Sequence, residues 1–387
     1  MLNRRSLRIK VAQNLYAYNQ CKLANYEIAL KQIEEHFLQD SYLAEGQNRD
    51  ALRQNGLEAK EALKKRLENN ESTANNVTAE AIREAVDEVY VSYQNSLKKD
   101  MRALRSNMII EAEKVVDRYL MVLALLTEFA AIASGKYFKN PAKFVCQNLH
   151  NNRIIKAIMA HQPLQNMIIR KNITWKNHHQ DVLSWYREII NEVPEYAAYK
   201  TLKQPGIEDD RKILTFIVKN QIFKNDVINA LFEELDLSWE ENKAAVKSMV
   251  QKTIKSVESS GEQEWTLEIS PLSYNWEDDK AFFEELFVSS IENDEDFEKL
   301  VAEKSKNWDI HRLAMMDKII LKMAICEMIK FPSIPIKVTI NEYIEISKRY
   351  STPKSKQFVN GLLDSLANKL VSEGVIKKSG RGLIDNK

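Results

Sequence analysis

An all-α fold is predicted by three observations on the sequence. Only 9 Gly and 8 Pro occur in 387 residues, where average usage would give about 27 and about 19, so tight turns are few and sandwiches, barrels and Gly-rich nucleotide folds are disfavoured. Charged residues make up 29% and apolar residues 44%, with Leu, Ala, Glu, Lys and Ile recurring between sparse breakers as in helices that each bury one face. Leu7, Val11, Leu15 and Tyr18 follow i, i+4, i+8 and i+11, one stripe of a 3.6-residue period.

Taken in order, Arg4 to about Gln39 reads as helix with a break near Asn25. Residues 40–76 are polar, contain Gly46 and Gly56, and end in Glu-Asn-Asn-Glu-Ser-Thr-Ala-Asn-Asn, so they read as an insertion, a linker or an exposed helix. Thr78 is the expected N-cap of a helix to Ala133, with a break near Asn107 and Gly135 closing it. Inside it, Leu120 to Leu126 is the best membrane candidate, but Thr127 and Glu128 interrupt it far short of the ~20 apolar residues a span needs. Shorter helices follow between Pro141, Pro163, Pro194 and Pro205, because proline is excluded from helix interiors.

An internal echo pairs 216–250 with 285–319 at a constant offset of 69, matching Ile222 with Ile291, Ile228 with Phe297, Leu231 with Leu300 and Trp239 with Trp308. Either a helix pair is duplicated or two amphipathic stretches that share a Trp align by chance. A boundary falls near 260–276, between Gly261 and Pro271, where Thr266 to Ile269 alternates briefly. Beyond it are a helix from Asp278 to about Glu303, one from Asp309 to about Phe331, and a Pro332/Pro335 elbow. A helix from Thr339 to Tyr350, a Ser351-Thr352-Pro353 turn and a helix from Lys354 to Glu373 complete the series. Val338, Ile340, Ile344, Val359, Leu362, Leu363 and Leu366 are expected core residues. The predicted layout is 1–40, an insertion with its own core at 41–270, a C-terminal domain at 271–373 and a basic tail at 374–387.

The formal net charge is +1, yet the charge is unevenly placed. Met1 to Lys22 holds Arg4, Arg5, Arg8, Lys10 and Lys22 without an acid, whereas Glu277 to Glu298 carries ten carboxylates against Lys280 alone. The acidic stretch is expected to lie away from the cations. Cys21, Cys146 and Cys326 are far apart, as in a reducing compartment. The basic, interrupted N-terminus lacks a secretory signal, so a cytoplasmic protein is expected. A mitochondrial transit peptide is disfavoured because Ser6 is the only hydroxyl residue there apart from tyrosines.

No G-x-x-x-x-G-K-[ST], G-x-G-x-x-G, G-x-S-x-G or H-E-x-x-H pattern occurs. His178 and His179 are adjacent, so their side chains diverge, and Gly380-Arg381-Gly382 is too short and too late for a phosphate loop. Neither enzyme chemistry, nor a cofactor, nor a metal is expected. Two clusters carry a binding mechanism instead. Arg4, Arg5 and Arg8 sit at i, i+3 and i+4 spacings, where guanidinium forks fit phosphate oxygens and stack on unpaired bases, or simply form a solvated helix start. Lys348, Arg349, Lys354 and Lys356 flank a turn followed by Phe358, an aromatic that serves either base stacking or the core.

The runs Trp308-Asp-Ile-His-Arg-Leu-Ala-Met-Met-Asp-Lys-Ile-Ile-Leu-Lys, Ile334-Pro-Ile-Lys-Val-Thr-Ile-Asn-Glu-Tyr-Ile-Glu-Ile-Ser-Lys and Lys356-Gln-Phe-Val-Asn-Gly-Leu-Leu-Asp resemble the NusB family of transcription antitermination factors, as does Arg4-Arg5-Ser6-Leu7-Arg8 with Gln13-Asn14-Leu15-Tyr16. The resemblance covers about 1–25 and 276–372 and is to the enlarged form found in the Bacteroidetes group. It implies a NusB-like helical bundle built from both chain ends with a large helical insertion, and a non-enzymatic role. Implied partners are single-stranded boxA-type RNA of ribosomal RNA leaders, a NusE-type small-subunit ribosomal protein and the RNA polymerase antitermination complex. Residue by residue, RNA contact falls on Arg4, Arg5, Arg8, Lys354, Lys356 and Phe358, and NusE contact on Asp317, which otherwise reads as an exposed helix acid. Ser6 stands where another basic residue is frequent and Lys354 where an acid occurs, which weakens and strengthens phosphate attraction respectively. The competing reading is a helical adaptor that does not bind RNA; a methyltransferase with an RNA-binding attachment is opposed by the missing glycine-rich loop.

Overall fold

The computed structural model describes residues 1–43, 47–69, 80–138, 141–259, 265–304, 313–353 and 355–386. Thr78, Gly261, Trp308, Asp309 and Lys354 lie outside them. The described chain is helical almost throughout: α1 (Arg4–Leu43), α2 (Gln47–Asn69), α3 (Glu80–Ile132), α4 (Gln147–His150), α5 (Arg153–Ala160), α6 (Gln162–Arg170), α7 (His179–Trp185), α8 (Pro194–Lys200), α9 (Ile207–Phe216), α10 (Asp226–Leu235), α11 (Trp239–Ser256), α12 (Trp276–Glu292), α13 (Asp294–Lys304), α14 (Met315–Lys330), α15 (Ile336–Tyr350) and α16 (Ser355–Ser372). Of the segment read as alternating, only Thr266 lies in a strand, the two-residue Trp265–Thr266, antiparallel to Glu258–Ser259. No helix among the described residues is long and apolar enough to cross a membrane.

The expected breaks at Asn25 and Asn107 do not occur. No Gly or Pro interrupts α1 or α3, and Asn costs a helix only a fraction of a kcal/mol, about 0.7 at most. Asn25 also donates its amide to Asp100 Oδ2 at 2.7 Å, which fixes it in the helix. The prolines instead open helices: Pro163 lies in the first turn of α6 and Pro194 begins α8, where a missing N–H costs nothing.

The residues form two compact units, Met1–Leu7 with Ile109–Lys280, and Arg8–Met108 with Ala281–Lys387. In the first, Tyr119, Leu120, Val122, Leu123, Leu125 and Leu126 are buried along α3. An aromatic chain runs Trp185–Trp175–Phe232–Trp239–Phe223, with centroids 5.8, 6.0, 4.5 and 5.8 Å apart. Tyr119 and Thr253 share a hydroxyl hydrogen bond of 2.7 Å, and the chain start is tied in by Leu2 N–H to the Leu272 carbonyl at 2.8 Å.

In the second unit, α2 is neither linker nor solvated helix. Ala59 and Leu63 are buried against Leu30, Ile33 and Phe37 of α1 and Ile82, Val86 and Tyr93 of α3. Gly56 admits this approach, because a Cβ there would lie 3.3 Å from Phe37 Cβ. The same unit packs α14, α15 and α16 on one another. Ile340, Val359, Leu362, Leu363 and Leu366 are buried as expected, but Val338 is 44% exposed and Ile344 half-buried; α15 turns Thr339, Tyr343 and Ile346 inward instead. Cys146 and Cys326 are buried free thiols and Cys21 is half-buried; burial pushes the Cys326 thiol up to about 12.

The echo recurs in helix limits. Shifted by 69, Trp276–Glu292 falls on α9 and its π-helical extension Ile217–Ile222, and α13 falls on α10. Ile228 and Phe297 are both buried, whereas Ile222 is buried and Ile291 half-buried.

Candidate nucleic-acid interface

The arginine start divides by burial. In the first unit Arg4, with a side chain 42% exposed, places Nε 3.1 Å from Asp279 Oδ1, and Arg5 is exposed. In the second unit Arg8, expected on the surface, is 3% exposed. Its Nε and Nη2 donate to the two oxygens of Glu327 at 2.7 Å each, a bidentate pair. Glu327 also accepts from Thr339 Oγ1 at 2.8 Å and Tyr343 Oη at 3.1 Å. The guanidinium stands over the Phe282 ring, 5.3 Å from its centroid. Burial alone would lower the Arg8 pKa, but the hydrogen bond and charge of Glu327 raise it above the ordinary value. Arg8 is therefore a structural cation, its fork already occupied.

Asp317 is likewise not an exposed helix acid. It is 4% exposed at the start of α14 and accepts from Ser351 Oγ at 2.5 Å and Ser355 Oγ at 2.7 Å. Thr352 and Ser355 share a further hydroxyl contact of 2.8 Å. The carboxylate thus ties down the turn from α15 to α16, which presents Lys356 exposed and Phe358 half-buried. Asp317→Ala is expected to cost about 2–3 kcal/mol, since two hydroxyls lose a charged acceptor. It should also speed amide exchange at 351–356 by hydrogen-exchange mass spectrometry; unchanged exchange would remove the anchoring role.

The acidic stretch is not a separate pole. Besides Asp279 with Arg4, Glu284 meets Arg105 Nε at 3.1 Å. Asp294 and Glu298 receive Lys322 Nζ at 2.6 and 2.7 Å. Around Lys322 a cleft of about 420 Å³ is lined by Lys22, Tyr26, Tyr93, Glu298 and Lys318. The carboxylates neutralise these cations locally, and Lys356 is exposed. His178 contacts Asp181 at 3.2 Å, and no group of three metal-ligating side chains occurs among the described residues.

Sequence reasoning missed Glu327, Thr339, Tyr343, Ser351 and Ser355. One signal for the first was present. Glu327 lies among Met323, Ala324, Ile325, Cys326 and Met328, all buried, and an acid in such a run needs an interior cation.

The α14–α16 layer, with a buried Arg–Glu pair beneath it and Lys356 exposed in the first turn of α16, defines an all-helical module. The model of the NusB family matches residues 240–368. The chain is 47% identical over 106 residues to the transcription antitermination protein NusB of Chloroherpeton thalassium, covering 27% of this chain and 50% of that protein. It is 43% identical over 105 residues to the NusB of Salinibacter ruber, 27% and 66% of the two chains. With the NusB of Koribacter versatilis it shares 39% over 97 residues, 25% and 66%. The chain thus spans half the length of the first relative and 66% of the others, while being itself larger than the family domain. No solved structure matches it.

Proposed function

We propose that the protein acts in transcription antitermination in the cytoplasm, binding single-stranded boxA-type RNA of ribosomal RNA leaders without catalysing a reaction. A NusE-type small-subunit ribosomal protein and the RNA polymerase antitermination complex are its partners in this reading. The observation that carries it is the NusB-family match over 240–368, with relatives that are named transcription antitermination proteins. RNA contact is assigned to Arg4, Arg5, Lys354, Lys356 and Phe358. Arg8 is withdrawn from that set because Glu327 occupies its donors, and Asp317 acts on the turn rather than touching a partner. The Arg4–Asp279 pair is partly exposed and worth little in water, so a phosphate can displace the carboxylate.

Replacing Arg4, Arg5 and Lys356 together with Ala is expected to weaken binding to a boxA oligoribonucleotide. The slope of log K against log salt should become shallower by about 2, at ~0.7 per lost phosphate contact on a single strand. Unfolding should move by no more than about 0.5 kcal/mol. Unchanged affinity and slope would remove these residues from the interface, and a wild-type chain that leaves RNA unbound fits the helical adaptor instead.

A further inference from the structure

In the first unit four lysines lie together, and among the described residues no carboxylate pairs with any of them. Lys243 and Lys247 are one turn apart on α11, both half-buried, and Lys219 and Lys224 are exposed on the π-helical turn 217–222 and just after it. That turn packs on α11. Its position is fixed by Phe223, buried and stacked on Trp239 of α11 at 5.8 Å and 21°. Lys224 directly follows Phe223, and Lys243 follows Trp239 by one turn, so the stack holds the two pairs of ammonium groups to one another. Asp226 and Glu240 are close in sequence, yet none of the four lysines makes an ion pair or hydrogen bond among the described residues. Burial, and then the charges of Lys219, Lys224 and Lys243, lower the Lys247 pKa.

We propose that Lys219, Lys224, Lys243 and Lys247 form a second polyanion site that grips the phosphodiester backbone of RNA outside the boxA-type segment. Like charges held together oppose folding unless an anion neutralises them. An ammonium presents three rotatable donors that suit phosphate oxygens in any orientation. The neighbouring rings, Phe223 and Trp239, are buried, so no aromatic is offered to a base and the grip is independent of sequence. That the polyanion is RNA rests on the function proposed above; the site itself does not.

The test compares the full-length protein with its Lys219→Ala/Lys224→Ala/Lys243→Ala/Lys247→Ala variant on two RNAs, a short boxA oligomer and a transcript carrying about forty further unstructured nucleotides. On the long RNA the variant should show a salt slope shallower by about 3, from four contacts at ~0.7 each. On the short RNA it should match the wild type. Its thermal midpoint should hold or rise, because repulsion is relieved; a fall would indicate structural ion pairing and overturn the proposal. So would an unchanged slope on the long RNA, an equal loss on both RNAs, or a loss confined to binding of polyglutamate, which would assign the patch to an acidic protein. Lysine acylation of the wild type gives a second measurement free of folding effects: the long RNA, bound even by a chain indifferent to boxA, should protect these four lysines, and their full reactivity in the complex would also overturn the site.

Discussion

Glu327→Ala is expected to destabilise the unit that contains it by about 3–5 kcal/mol, the cost of leaving a buried cation uncompensated. Glu327 is 0% exposed and Arg8 3%, so water cannot replace the lost carboxylate. The hydroxyls of Thr339 and Tyr343 lose their acceptor in the same step. At the usual scaling for about 200 residues the thermal midpoint of that transition should fall by roughly 10 °C. Replacing the network as a whole, with Arg8→Met, Glu327→Leu, Thr339→Val and Tyr343→Phe, should recover most of the loss, because a buried ion pair is offset by its own desolvation and apolar replacements of similar volume are often neutral. A single variant that loses less than about 1 kcal/mol, or a fourfold variant no better than the single one, would break the account. Arg8→Ala is also expected to depress RNA affinity only in proportion to the fraction unfolded, unlike loss of a phosphate contact.

What could be read from the sequence was whatever one helix decides by itself. The absence of Gly and Pro from α1 and α3 marked two long helical stretches, although a break was expected in each, and the prolines marked helix starts. The inward turn of Arg8 could not be read in this way. Arg4 and Arg8 share a helical face, but Arg8 also borders the stripe of Leu7 and Val11, and its partner lies 319 residues away. Only the folded chain shows which side of the stripe meets Glu327. α2 was misjudged by composition: its polar residues and Gly56 outweighed the short stripe of Ala59, Ala62, Leu63 and Leu67 that packs on α1 and α3. Asp317 was misjudged because the serines it binds lie at a turn more than thirty residues later, which was read for its bends and its flanking cations and not for its hydroxyls.

Trp239→Ala is expected to cost the other unit about 3–5 kcal/mol, the range for truncating a large buried aromatic. The indole is 0% exposed and stacks on Phe232 at 4.5 Å and 15° and on Phe223 at 5.8 Å and 21°. Its Nε1–H donates to Asn229 Oδ1 at 3.0 Å. The Asn229 amide in turn donates to the carbonyls of Ile222 at 3.1 Å and Asn225 at 2.7 Å, closing the turn between α9 and α10. Trp239→Phe separates the two contributions: it keeps a ring between Phe223 and Phe232 but leaves the Asn229 oxygen without its donor, at a cost of about 1–3 kcal/mol. Denaturant unfolding of both variants, followed by a probe in this unit, checks the order. Equal losses would mean that the Asn229 bond, not the stacked ring, supports the turn, and a loss below about 1 kcal/mol for Trp239→Ala would mean that the surrounding rings collapse into the space. Because the same stack positions Lys224 against Lys243, Trp239→Ala should also weaken long-RNA binding under conditions where it remains folded, whereas Trp239→Phe should leave that binding intact.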